Sequence, residues 1–536
     1  MDESIKDLPI SISTFSQLIE NNYIYVDKTE HLYNLIKPGR KCFLSRPRRF
    51  GKSLLVSTMK ELFEGNKKLF EGLYIYDKWD WSQNYPVLKI DMSSRSVETP
   101  EIFENSLNKL VDGIAEDYSI NFINDDLKGK FEELIKKISI KTKKKVVILI
   151  DEYDFPIIDN MDNLNIAEEN RKTLSKFYHI LKTAGDYIHF IFLTGVSKFV
   201  KTSIFSKLNH LDEITLDRKY STICGYTEED LEKHFSDYIE NLSEMEDISY
   251  EDTVENIKRC YDGYSWDGKH FLYNPTSIVS TFSKLEFGNY WFDTGTPTFL
   301  MDLVKKDNID LNMFTDPNLH FNGDFPTWDL SNVNFTTALL QTGYLTITKK
   351  IKTISGQKRY LLGIPNKEVE SSLFNYLIAA YTDNRPEDVV DLGDDFLMYL
   401  EEENEEKLSQ TLDILIGKIP YHSHMKNWRY YQGIFSVFFM KTALKTKAEQ
   451  ANSQGRIDYV LEYKNKYVIV ELKYSQKKSI KTMFNEAWSQ IAKKRYYQTY
   501  QDKNLMFLTI AIRDTEAKEV QCQIKTLDEL KKIKTA

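Results

Sequence analysis

The sequence predicts an α/β protein of more than one domain: an N-terminal parallel sheet covered by helices, a mostly helical middle region, and a second α/β domain at the C-terminal end. Three observations carry this. The chain has 536 residues, and a single hydrophobic core rarely grows past about 250–300. Over the first part of the chain, near-continuous apolar runs of strand length alternate with amphipathic helical stretches, the pattern of strands buried on both faces. After Tyr421 the pattern changes to a helix, two alternating strands and a basic helix.

Taken in order, strands are expected over 41–44, 87–90, 146–150 and 189–193, and a helix over 53–64 closed by Gly65. These fall in a first domain, 1–225. A middle region, 226–383, reads as mixed but mostly helical, with short aromatic-rich runs. A third part, 384–536, opens on an acidic stretch containing Glu401, Glu402, Glu403, Glu405 and Glu406. That stretch is read as a solvated helix face and a boundary. Trp428, Tyr431, Phe435 and Phe438 recur at helical spacing as a buried face. A helix is expected over 480–500, with Ala487, Trp488 and Ile491 inside.

Composition narrows the class. Hydrophobic residues at 41% and charged residues at 28% exclude wholesale disorder. The net charge of −9 means that any nucleic-acid site must be a local basic patch. The acidic start, Met1-Asp2-Glu3-Ser4, lacks a secretion signal, and the apolar runs are too short for a membrane span. Four scattered cysteines without a paired spacing argue against structural zinc or a disulfide framework, and His422 and His424 lack companion ligands. A cytoplasmic protein with no membrane partner is expected. Oligomeric state is left open by the sequence, a homo-oligomer included.

The sharpest local feature is Ser45-Arg46-Pro47-Arg48-Arg49-Phe50-Gly51-Lys52-Ser53, between a strand and a helix. This is where a phosphate-binding loop works: backbone N–H groups and a helix N-terminus hold phosphates, Lys52 reaches them, and the Ser53 hydroxyl ligates Mg²⁺. Arg46 stands where the first glycine of that motif belongs. With Arg48 and Arg49 it adds charge beside the loop, either to steady phosphates or as a solvated or acid-paired basic turn. The run 146–150 ends in Asp151-Glu152. There the aspartate holds Mg²⁺ and the glutamate polarises the attacking water. A further strand ends at Thr194, placed to sense a γ-phosphate. ATP is favoured over GTP because no Asn-Lys-x-Asp run follows.

The second constellation is Gly455-Arg456-Ile457-Asp458 and Glu471-Leu472-Lys473, on two alternating strands flanking Lys464-Asn465. If these two form the hairpin turn, Tyr463 opposes Lys466, Asp458 falls opposite Glu471, and Lys473 shares their face. Arg456 then opposes Lys473, a like-charge pair that suits a phosphate. Two opposed carboxylates call for a cation between them, which points to Mg²⁺ with Lys473 orienting a nucleophile. Gln490, Lys493, Lys494 and Arg495 can face a phosphate backbone, and Lys477, Lys478 and Lys481 add to the patch.

Together these residues resemble a two-part family with an AAA-ATPase-like N-terminal region and a PD-(D/E)XK nuclease-superfamily C-terminal region. The resemblance rests on 23–29 (Tyr-Ile-Tyr-Val-Asp-Lys-Thr), 45–53, 149–153, 194–198, 223–227, 261–264, 273–275, 290–297, 363–366, 455–458, 471–473 and 490–491. It implies a P-loop ATPase fold and an ATP site at Arg46, Pro47, Arg48, Arg49, Phe50, Gly51, Lys52 and Ser53 with Asp151, Glu152 and Thr194. It also implies a nuclease-type site at Asp458, Glu471, Lys473 and Gln490; the family gives no substrate, and DNA is the one expected here. One departure stands out: the stretch 427–432 carries no carboxylate where such nucleases often place one on the helix before the hairpin, and Glu449 is the nearest substitute.

Overall fold

The computed structural model describes residues 5–199, 211–291, 309, 311–330, 333–382, 384–417, 428–442, 445–452, 455–464, 466–500, 503–515 and 518–533. It divides into two compact units, one of Met1–Phe299 with His320–Val369, the other of Leu300–Leu319 with Glu370–Ala536. The stretch 226–383 is shared between them.

The first unit is built on a parallel sheet. Its strands are β1 (Lys41–Ser45), β2 (Val87–Asp91), β3 (Val146–Asp151), β4 (Ile188–Gly195) and β5 (Asp212–Glu213), in the order β2-β3-β4-β1-β5. All six residues of β3 are buried, as helices on both faces demand. Each expected strand is present, and β3 and β4 run on to include Asp151 and Gly195. The order inserts β4 between β1 and β3, so the carboxyl ends Ser45, Gly195 and Asp151 lie side by side. Ligands of open α/β sheets bind at such ends. Helix Lys52–Glu64 leaves β1 and stops at Gly65, whose φ of 85° supplies the left-handed C-cap.

Helices Glu228–Glu246, Tyr250–Tyr261 and Pro275–Lys284 pack around Phe235, Tyr261 and Phe282. A small antiparallel sheet, unexpected from the sequence, joins β6 (His320–Asn322), β7 (Thr346–Lys352) and β8 (Lys358–Gly363) in the order β6-β8-β7. It escaped the pattern because the last five residues of β7 are exposed. An exposed strand has no need of alternation.

The second unit carries β9 (Lys445–Asn452), β10 (Gly455–Tyr463), β11 (Lys466–Ser475), β12 (Asn504–Asp514) and β13 (Lys518–Thr526), in the order β13-β12-β11-β10-β9. Only β11 and β12 pair in parallel, across the crossover helix Ile480–Lys494. That helix is shorter than expected: Arg495 takes a left-handed φ of 48° and a 3₁₀ turn follows. Ala487, Trp488 and Ile491 are buried as expected. On helix Trp428–Lys441, Tyr431, Phe435 and Phe438 are buried.

The five glutamates of the acidic stretch are exposed, as a solvated face requires, and some of them also make specific contacts. Glu401 pairs with Lys464 at 2.7 Å and Glu403 with Lys466 at 3.3 Å, gripping the β10–β11 turn. On helix Glu405–Gly417, Glu405, Ser409 and Asp413 accept the N–H groups of Ile524, Cys522 and Val520 on edge strand β13, at 2.6, 2.9 and 3.3 Å. Residues four apart on a helix advance about 6 Å and residues two apart on a strand about 6.8 Å, so the two ladders stay in step over this length.

Candidate functional site

At the first site the helix Lys52–Glu64 begins without a side-chain cap: Gly51, at φ 89°, is its N-cap and contributes no acceptor. Its first N–H groups are thus available to an anion, and no acidic residue occupies the first turn. The Lys52 amine is buried, donating to the Pro47 carbonyl at 3.0 Å and lying 3.4 Å from Glu152. The Ser53 side chain lies beside the Asp151 carboxylate and favours its charged form. Burial, then the charges of Glu152 and Asp91, push the Asp151 pKa up to about 6 against the pull of Ser53 and Lys52. A carboxylate buried beside a second carboxylate is costly to ionise, and a divalent cation would relieve that cost. Arg49 and Glu152, on either side, both hold left-handed backbone (φ 65° and 48°), a strained state for residues with a Cβ.

Arg46 does not reach into the loop's anion site. Its guanidinium is fully buried, donating to the carbonyls of Ser45, Thr215 and Tyr220 at 2.8, 3.2 and 3.0 Å and stacking 3.9 Å over Trp266. Burial pulls its pKa down to about 10, so it stays cationic at neutral pH. Its charge strengthens the loop's positive field while its shape anchors the loop. Phe50 packs edge-on against Tyr264 and Trp266 at 5.0 and 5.2 Å. The Trp291 indole donates to the Arg48 carbonyl at 3.1 Å, and Thr276 donates to that of Arg49 at 3.3 Å. Pro47 lies against Gly343, where a Cβ would collide with it. Arg48 is half-buried with its charge felt by Asp159, and Arg49 is exposed. Residues 292–297 of the expected motif lie outside the described residues.

Thr194 is buried and gives its hydroxyl to the Leu44 carbonyl at 2.9 Å, tying β4 to β1. Sequence reasoning missed Asp154. Its buried carboxylate accepts the N–H of Val196, at 3.1 Å, and both the N–H and the hydroxyl of Ser197, each at 2.6 Å. It thereby fixes the turn leaving β4 next to the Asp151–Glu152 corner. Gly195 is required there, because a Cβ would overlap the Asp154 carboxylate. An aspartate three residues beyond another gives no pattern that sequence reading could exploit.

At the second site the hairpin register is the expected one, with Tyr463 opposite Lys466 and Tyr459 opposite Val470. The ladder stops there. Instead of pairing across the strands, the Leu472 N–H is taken by the Asp458 carboxylate at 2.8 Å. Glu471 is buried at 1% exposure, its Oε1 2.7 Å from the Lys473 amine. Lys473 also donates to the Gln490 carbonyl at 2.8 Å, and the Gln490 amide donates back to Glu471. The structure thus brings together Asp458, Glu471, Lys473 and Gln490, the last reaching over from helix Ile480–Lys494. Lys493, Lys494 and Arg495 are exposed nearby in sequence, whereas Lys478 is paired with Glu486 at 2.6 Å. Flanking pairs of β9 and β10 place Glu449 across from Asp458. The side chains of Glu449 and Arg456, together with His422, His424 and Asn427, lie outside the described residues.

Among the described residues no three His, Cys, Asp or Glu side chains gather as a metal cage. Mg²⁺ needs none: it is ordinarily held by one or two carboxylates with substrate phosphates completing the shell. Ser53 with Asp151, and Asp458 with Glu471, are hard oxygen donors of that kind.

A parallel sheet bearing a Gly-Lys-Ser loop beside an Asp-Glu strand end has the arrangement of a P-loop ATPase-like domain, here combined with an Asp/Glu-x-Lys hairpin of the nuclease-superfamily type. Comparison with known proteins agrees. Residues 9–205 match a family model described as "Predicted AAA-ATPase", and residues 426–523 match one described as "PD-(D/E)XK nuclease superfamily". The chain is 35% identical over 509 residues to the "Uncharacterized protein in vnfD 5'region" of Azotobacter chroococcum mcd 1, covering 93% of this chain and 94% of that one. The chain belongs to the same family as that relative, in which an AAA-ATPase-like region is followed by a PD-(D/E)XK nuclease-superfamily region. Among the described residues no helix is long and apolar enough to cross a membrane.

Proposed function

We propose that this protein binds and hydrolyses ATP and uses that cycle to govern Mg²⁺-dependent cleavage of DNA by its C-terminal unit. The observation that carries the reading is the convergence of Glu471, Lys473 and Gln490 beside a register that parts at Asp458. A hairpin otherwise zipped to its turn gives up its ladder where the two carboxylates stand. In this reading Lys52 leaves Pro47 and Glu152 to bind phosphate, and Ser53 and Asp151 hold Mg²⁺. Glu152 orients the hydrolytic water, and Thr194 holds the strand end beside the γ-phosphate. At the second site Asp458 and Glu471 hold Mg²⁺, which supplies phosphate polarisation and an acidified water. Lys473 then orients the nucleophile, and Gln490 keeps Lys473 and Glu471 in place.

The test is cleavage of single- and double-stranded DNA with Mg²⁺ or Mn²⁺, with and without ATP, for wild type, Asp458→Ala and Lys52→Ala. Cleavage lost in Asp458→Ala and altered in Lys52→Ala supports the reading. No cleavage in any condition, with ATP still turned over, sinks its nuclease half. A second reading is then left: an ATP-dependent switch that binds nucleic acid or a protein and cuts nothing. One observation favours it: Glu471 is already paired with Lys473 and Gln490, and the described part of helix Trp428–Lys441 carries no carboxylate toward the site.

A further inference from the structure

The hairpin β7–β8 is a concentrated positive feature of the first unit, and neither site uses it. It carries Lys349, Lys350, Lys352, Lys358 and Arg359 within a few residues of its turn. In its register Lys352 stands directly opposite Lys358, and Ile351 opposite Arg359. A directly opposed like-charge pair is destabilising in a sheet, and among the described residues no carboxylate pairs with any of the five. Among the described residues Arg359 donates to the Asn322 side-chain carbonyl at 3.2 Å and the Lys350 amine lies 5.3 Å from the Tyr360 ring centroid, neither of which neutralises a charge. Ile354 at the turn is fully exposed and Ile351 is exposed beside it. In a chain of net charge −9, cations gathered without counter-ions mark a surface awaiting a polyanion.

Geometry identifies the polyanion. Lys350, Lys352 and Lys358 share one face of the ribbon, and Lys349 and Arg359 share the other with Ile351. A lipid surface would meet a single face. Cations on both faces suit an element flanked by phosphates on two sides, and the major groove of B-DNA, about 12 Å wide, admits a two-stranded β-ribbon. The A-form groove of duplex RNA is too deep and narrow for one. The ribbon is also firmly seated. At its base Ser265 exchanges hydrogen bonds with Thr346 and Ile347, at 2.7 and 3.3 Å. Gly268, at φ 68°, presses against the backbone of Lys349 and Lys350 so closely that a Cβ would collide. Between Ser265 and Gly268 lies Trp266, the residue on which Arg46 of the phosphate loop is stacked.

We propose that the β7–β8 ribbon is a binding surface for double-stranded DNA, engaging phosphates of one groove through Lys349, Lys350, Lys352, Lys358 and Arg359. It needs neither ATP turnover nor cleavage, so it stands or falls apart from the catalytic reading. The experiment is fluorescence polarisation of a labelled 20-base-pair duplex against the full chain carrying Asp458→Ala, in EDTA, over a range of salt. Lys350→Gln/Lys352→Gln/Lys358→Gln is expected to weaken duplex binding at least tenfold and to flatten the log–log salt dependence by about 3, one for each lost phosphate contact. Its melting temperature should not fall, its nucleotide binding should stay unchanged, and the corresponding triple Arg variant should keep the affinity. Equal affinity and slope for the Gln variant and its parent would overturn the proposal. So would a parent that prefers phosphatidylserine vesicles or duplex RNA to duplex DNA. A loss confined to Lys493→Gln/Lys494→Gln/Arg495→Gln would likewise place the DNA on the second unit alone.

Discussion

Asp154 shows how much a single buried side chain can carry. It accepts three donors of the turn leaving β4, so Asp154→Ala leaves buried N–H and O–H groups unpaired and should cost about 2–4 kcal/mol, read by denaturant unfolding. Its pKa is raised, chiefly by burial and next by Glu152, with the Ser197 donors pulling the other way. A raised carboxyl pKa means that the folded state binds more protons than the unfolded state between the ordinary aspartate value and the shifted one. This residue's contribution to stability therefore falls as pH rises from about 4 toward about 6. Asp154→Asn, near-isosteric and uncharged, should flatten that part of the stability–pH curve, and an unchanged slope would refute the assignment. Gly195→Ala is expected to mimic Asp154→Ala from the other side of the same contact, with loss of ATP turnover in proportion to the displaced turn. Lys52→Ala should abolish ATP binding by calorimetric titration while leaving the fold intact, since among the described residues its amine is tied to the Pro47 carbonyl and Glu152 alone.

Among the elements, the helix Glu405–Gly417 replaces a missing neighbour strand along the edge of β13. Exposed sheet edges invite further pairing, and here three helical side chains occupy alternate N–H groups. Ser409→Ala/Asp413→Ala should speed amide exchange at Cys522 and Val520 while leaving β11 and β12 protected, at a cost of about 1 kcal/mol per lost bond. Uniform exchange across the sheet would show that the helix contributes only apolar packing. The phosphate loop poses the same question differently. Its conformation is held by Trp266, Tyr264 and Trp291, residues distant in sequence. Trp266→Ala should therefore weaken ATP binding several-fold although it touches no phosphate in this arrangement, and an unchanged Kd would show that Gly51 and the helix suffice.

At the scale of the whole molecule, two compact units with separate cores predict two calorimetric transitions. ATP with Mg²⁺ at a hundred times its Kd should raise one of them by about 2.7 kcal/mol of stability, and Lys52→Ala should remove that response. A single transition would mean that the units unfold as one. What could be read directly from the chain was whatever depends on local order. Strand-length apolar runs ending in Ser45, Asp151 and Thr194 announced a sheet with its chemistry at one end. The expectation of a two-residue connection made each pairing partner a matter of subtraction, and Tyr463 meets Lys466 as expected. The sequence could not show that β4 would insert between β1 and β3. Nor could it show that Arg46 would lie on Trp266 rather than on phosphate, or that the acidic run would grip a hairpin and cap a sheet edge. Periodicity records which side of an element is apolar, and strand order, buried hydrogen bonds and the partner of a charge are settled only when distant segments compete for the same space.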